Sequence, residues 1–74
     1  MTKVNDVFAE RLAKVRNERK IPQKTAAEGL GLSQALLSHY EKGIRECGLD
    51  FLKRASSYYG VSVDYLLGLT EKRE

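Results

Sequence analysis

The stretch QKTAAEGLGLSQALLSHYEK, Gln23 to Lys42, decides the fold. Ala26, Ala27 and Leu30 recur at helical spacing and mark the inward face of a helix over about Gln23–Leu30. Gly31 follows as a stop, because glycine enters the left-handed backbone of a sharp turn at no steric cost. Leu32 is placed to plug the core, and Ser33 is a good N-cap for a next helix over Gln34–Lys42. Leu37 and Tyr40, three residues apart, share that helix's inward face, and Gly43 ends it. Two short helices joined in this way form a helix-turn-helix. In that motif the first helix lies across a DNA backbone and the second offers its N-terminal residues to base edges. The free N–H groups and positive dipole end of the second helix also suit nearby phosphate.

Three further helices surround the motif. Val7, Phe8, Leu12 and Val15 define a helix over about Asp6–Arg19, with Asn5 or Asp6 as its cap. Pro22 ends any continuation and suits the first turn of the next helix. Ile44–Gly48 reads as a loop. A fourth helix spans Leu49–Tyr59 with Leu49, Leu52, Ala55 and Tyr59 inward, and Gly60 stops it. Ser62 caps a fifth over Val63–Leu67, which Gly68 ends. The polar tail from Leu69 to Glu74 is expected to fray. No strand-like alternation, repeat or low-complexity run appears. The expectation is an all-α, compact five-helix domain over residues 1–74, folded from about 5 to 69.

Composition agrees with one small folded domain. The chain has 74 residues, 42% hydrophobic and 31% charged, which argues against disorder. Its net charge of +3 and pI of about 9.2 suit a polyanionic partner. One cysteine, Cys47, and one histidine, His39, cannot make a disulfide or a Cys/His metal set. Nor do they make a nucleophile–base–orienter set, so no catalytic, metal or cofactor site is expected. No phosphate-binding glycine loop appears; Gly29 and Gly31 belong to the second helix and its stop. With no signal-like or membrane-length apolar run, a cytoplasmic location is expected.

From Phe8 to Gly68 the chain resembles the Cro/repressor (XRE-type) helix-turn-helix family. The matching residues are Gln23, Ala27, Leu30-Gly31-Leu32-Ser33-Gln34, Ser38, Tyr40-Glu41, Gly43, Arg45-Glu46, Leu49 and Gly60-Val61-Ser62-Val63-Asp64-Tyr65-Leu66-Leu67-Gly68. Elements falling in this order at the family's spacing are far more specific than a bare helix-turn-helix pattern. The resemblance implies a repressor-like five-helix fold that binds duplex DNA sequence-specifically, usually as a homodimer on a two-fold operator. It puts Gln34, Ala35 and His39 at the main base-facing positions, flanked by Leu36 and Ser38. Gln23 and Lys42 match phosphate-holding positions, with Ser33 and Arg45 as further phosphate candidates. Arg16 and Glu41 match a pair that often forms a partly buried ion pair.

Some positions depart from the family pattern. Ala26 stands where a larger Leu is common, and Cys47 where Pro is frequent. Gly29 inside a helix costs about 1 kcal/mol relative to Ala. His39 stands where Arg is common and Ala35 where a polar residue is common, which bears on the target sequence rather than the fold.

Each position also has a plainer role. Gln34 pairs bidentately with adenine N6 and N7 or is a solvated glutamine. Ala35 touches a thymine methyl or merely favours helix. Leu36 is exposed toward thymine methyls or packs at the helix edge. His39 donates to guanine or phosphate, or is a solvated surface residue. Lys42 meets phosphate or only complements the helix dipole, and Arg45 is a phosphate ligand or a solvated loop residue. Tyr65, Leu66, Leu67 and Leu69 form a dimer patch or complete the monomer core. The alternative function is a protein-interaction module, antitoxin-like or adaptor, using Leu36 and Ala35 of the same fold.

Overall fold

Five α-helices make up the regular structure among residues 4–73, which the computed structural model describes: α1 (Val4–Glu18), α2 (Gln23–Leu30), α3 (Gln34–Glu41), α4 (Leu49–Tyr59) and α5 (Val63–Leu66). The described residues contain no strand. α2 packs on α3 and α4, while α1 spans the assembly against α3, α4 and α5. One core results, centred on Leu12, Val15, Leu30, Leu37, Tyr59 and Leu66, all essentially inaccessible. Leucine-to-alanine changes at such positions cost about 2–5 kcal/mol.

The expected punctuation sets most boundaries. Gly31 sits at φ +77°, and Leu32 N–H returns to the Ala27 carbonyl at 3.0 Å, closing α2. Ser33 Oγ accepts from Leu36 N–H at 3.1 Å, and Ser62 Oγ accepts from Tyr65 N–H at 3.0 Å. α1, by contrast, begins at Val4, so Asn5 and Asp6 lie within its first turn rather than capping it. Pro22 is the N-cap of α2 and not its first helical residue. α3 ends at Glu41 with Lys42 as its cap, and α5 ends one residue early, at Leu66. The stop of α1 carries no glycine; Lys20 takes the left-handed conformation there at φ 56°.

Three corrections bear on surfaces. Leu49 is 67% exposed, and Phe51 is buried in its place. Leu49 lies in the first turn of α4, beyond the core, whereas Phe51 meets Tyr40 (ring centroids 4.6 Å) and Phe8 (6.3 Å, edge-on). Tyr65 and Leu66 are buried in the monomer and so cannot supply a dimer patch. The residues after Leu69 do not fray up to Arg73; Glu74 lies outside the described residues. Arg11 donates to the carbonyls of Tyr65 (2.6 Å) and Thr70 (2.7 Å) and pairs with Glu71 (2.9 Å). Arg73 grips Glu18 through both guanidinium N–H groups at 2.6 and 3.0 Å. The two guanidiniums also flank the Tyr65 ring, at 4.4 and 5.1 Å from its centroid.

Candidate nucleic-acid interface

The outward face of α3 follows from its inward one. Leu37 and Tyr40 are buried. At about 100° per residue, Gln34, Ala35, Ser38 and His39 fall in one arc on the opposite side. Gln34, Ala35 and His39 are exposed and Ser38 is half-buried. Leu36 is apart from this arc: it is half-buried and packs on the core, in a shallow groove shared with Leu32, Phe51 and Arg54.

Ser33 opens the face. Its hydroxyl oxygen satisfies Leu36 N–H, while the N–H groups of Gln34 and Ala35 have no partner within the helix and point out from its positive end. At the other end Gly43 N–H bonds the Tyr40 carbonyl at 3.2 Å and Ile44 N–H the His39 carbonyl at 3.1 Å. This reversal keeps exposed Lys42 and Arg45 beside the C-terminus of α3, where cations also complement the helix dipole. The polar arc is thus bracketed by an open helix N-terminus and two cations.

A partly buried charge cluster fixes α3 to the rest of the domain. Arg16 of α1 donates through Nε to Glu41 Oε2 at 2.7 Å and through Nη2 to Oε1 at 3.0 Å. The two side chains are only 12% and 5% exposed. The Glu41 hydrogen bond raises the Arg16 pKa above its ordinary value, so the guanidinium stays charged despite burial. Arg16 also donates to the Ile21 carbonyl at 2.8 Å. Gln23, the first residue of α2, is half-buried and donates from Nε2 to Glu41 Oε1 at 3.1 Å. That bond joins the start of α2 to the end of α3, a link sequence spacing did not suggest.

A second feature lies on the α4–α5 side. Leu49 stands at the rim of an apolar groove lined with Phe8, Cys47, Leu52 and Leu67. Cys47 is half-buried there, and burial pushes its thiol pKa up. Leu69, further along, is 72% exposed.

The helix-turn-helix family model matches residues 12–66, most of the described fold. The chain belongs to the Cro/repressor-type helix-turn-helix family. Its relatives include the HTH-type transcriptional regulator ImmR of Bacillus subtilis, 42% identical over 64 residues, which are 86% of this chain and 50% of ImmR. Among solved structures, the N-terminal DNA binding domain of SinR from Bacillus subtilis superposes with a TM-score of 0.78 at 28% identity, covering 93% of this chain and 99% of that one. The P22 c2 repressor, solved with a synthetic operator, gives a TM-score of 0.76 at 29% identity, covering 80% of this chain and 89% of that one. This chain spans about half the length of the full regulators it matches. Membership makes it a DNA-binding domain of the transcription-regulator class, a class that is not enzymatic. Among the described residues no helix is long and apolar enough to cross a membrane.

Proposed function

We propose that this chain reads duplex DNA as a transcriptional repressor in the cytoplasm, bound as a homodimer to a palindromic operator. One observation carries the reading: the Gln34, Ala35, Ser38, His39 arc stands clear of the core between the Ser33-capped helix start and the cations Lys42 and Arg45. Gln34 hydrogen-bonds adenine, while Ala35 accommodates a thymine methyl. His39 and Ser38 make the remaining base contacts. Gln23, Ser33, Lys42 and Arg45 hold phosphates on either side, and the cations Lys42 and Arg45 supply the salt-sensitive part of the affinity. The P22 c2 repressor, solved in complex with a synthetic operator, supports operator binding and the sign of regulation.

Size and surface support the dimer. The domain measures 28 × 25 × 22 Å, less than the roughly 34–36 Å between successive major grooves on one face of DNA. Two copies therefore fit side by side on adjacent half-sites without overlap. Exposed Leu49, with the groove at Phe8, Cys47 and Leu67, forms the apolar face for that contact. The protein-interaction alternative leaned on an exposed Leu36, and that side chain is packed against the core.

The test is recovery of bound duplexes from a random pool, followed by titration at several salt concentrations. A symmetric consensus, lost selectivity in Gln34→Ala, and a salt slope reduced by about one in Lys42→Ala are expected. Sequence-independent binding that Gln34→Ala leaves unchanged overturns the reading. For the dimer, Leu49→Glu is expected to lower the apparent mass in sedimentation and to reduce cooperativity on the full site.

A further inference from the structure

The Glu41 carboxylate has three donors. Arg16 occupies both oxygens with two N–H groups, and Gln23 Nε2 adds a third bond on Oε1. Arg16 matches the charge of Glu41, so the pair is neutral and does not repel a nearby phosphate. Arg16 also bonds the Ile21 carbonyl, two residues before Gln23, and thereby fixes the backbone entering α2. Gln23 is thus held at its backbone approach from α1 and at its side chain from the end of α3.

A primary amide is planar and carries two N–H donors. Glu41 takes one of them, and the other makes no hydrogen bond among the described residues. Fixing one N–H fixes the direction of its twin. A free glutamine loses rotamer freedom when it binds, and a side chain already held is spared much of that loss. We infer that Glu41 is a positioning residue for DNA: anchored by Arg16, it holds the Gln23 amide with one N–H inward and the other directed to a phosphate oxygen. The inference rests on the phosphate role of Gln23 proposed above and adds what sets that residue's geometry.

The experiment uses the 74-residue chain and a duplex it selects from a random pool, with affinity read by fluorescence anisotropy. The variants are Gln23→Met, Glu41→Gln and the double, each confirmed folded by circular dichroism. Gln23→Met is expected to weaken binding about tenfold, the scale of one hydrogen bond to a charged group. The salt slope stays unchanged, because a neutral amide displaces no counterion. Glu41→Gln is expected to lose most of the same factor, since its amide offers one acceptor oxygen where the carboxylate offered two. The double variant should match Gln23→Met alone. If Glu41→Gln binds like the parent chain, or weakens Gln23→Met as much as it weakens the parent, the inference is overturned.

Failure of the underlying reading looks different: no duplex is selected, or Gln23→Met leaves affinity intact. A second readout needs no variant at position 41. In 15N–1H spectra of the free protein, one Gln23 side-chain amide proton should exchange slowly, and the other should shift when DNA is added. Equal, fast exchange of both protons overturns the inference as well.

Discussion

The ring of Tyr58 lies over the backbone of Gly29 so closely that a Cβ added there would stand 2.8 Å from Tyr58 Cζ and 2.9 Å from its hydroxyl oxygen. A glycine inside α2 therefore has a packing reason: it admits the side chain of α4 that covers it. Alanine at this position gains about 1 kcal/mol of helix propensity but displaces a ring that packs edge-on against Tyr59. Such aromatic pairs are worth about 0.5–1.5 kcal/mol beyond the area they bury. The crowded atoms are the far end of a side chain that is 38% exposed and can swing outward, so in Gly29→Ala the gain and the loss should offset to within about 1 kcal/mol. In a Tyr58→Ser background the same change should stabilise by about 1 kcal/mol. Urea denaturation of the four proteins measures the difference between the two backgrounds.

Removing Arg16 strands the Glu41 carboxylate, whose side chain is 5% exposed. Arg16→Met is expected to cost about 3–5 kcal/mol. Replacing both partners in Arg16→Met/Glu41→Leu should recover most of that loss, because no uncompensated charge remains. Arg16→Lys should fall between, since an ammonium cannot make the two-pronged contact. Thermal melts decide it, at about 4–8 °C per kcal/mol for a domain of this size.

Tyr59 buries a hydroxyl that has no hydrogen-bond partner among the described residues. Burial pushes its phenol from an ordinary 10.0 up to about 12. Below pH 10 both the folded and unfolded chains keep the proton. Above it the unfolded chain ionises first, so the stability tied to this group is lost as pH rises from about 10 to about 12. Tyr59→Phe is expected to flatten the stability profile across that window. At neutral pH it should cost less than about 1 kcal/mol, because no bond is given up. Denaturant midpoints between pH 8 and pH 12 measure both effects.

The C-terminal clasp divides into a weak half and a strong half. Arg73 and Glu18 are both substantially exposed, so Arg73→Ala should change global stability little. Its local effect should be clear: Ser62 N–H, which donates to the Arg73 carbonyl, should exchange faster than in the parent chain, and the difference should shrink at low pH. The Arg73 hydrogen bond lowers the Glu18 pKa, so the pair persists above the usual carboxylate range and is lost as pH falls through the lowered value. Arg11 is 16% exposed and serves two carbonyls. Arg11→Met should cost about 1–3 kcal/mol, read by denaturation.

Much of the fold was legible because its signals are local. Gly31, Ser33 and Ser62 act on backbone groups within a few residues, and the spacing of Ala26, Ala27, Leu30, Leu37 and Tyr40 reflects only helix geometry. The same holds for the α3 arc, whose outward direction follows once Leu37 and Tyr40 point in. Where neighbouring apolar residues competed, as Leu49 did with Phe51, spacing could not rank them, because the choice depends on where Phe8 and Tyr40 stand.

The sequence by itself determined five helices, the turn at Gly31 and the face of α3 turned outward, since hydrogen bonding over three or four residues and side-chain periodicity are properties of adjacent chain. Only the tertiary structure decided that Gln23 hangs from Glu41, that Leu36 packs inward, that Tyr65 lies between Arg11 and Arg73, and that Leu49 stands in solvent. Polar contacts that span 18 to 60 residues form where helices happen to converge, and long flexible side chains such as Arg11 have many partners open to them until packing removes all but a few.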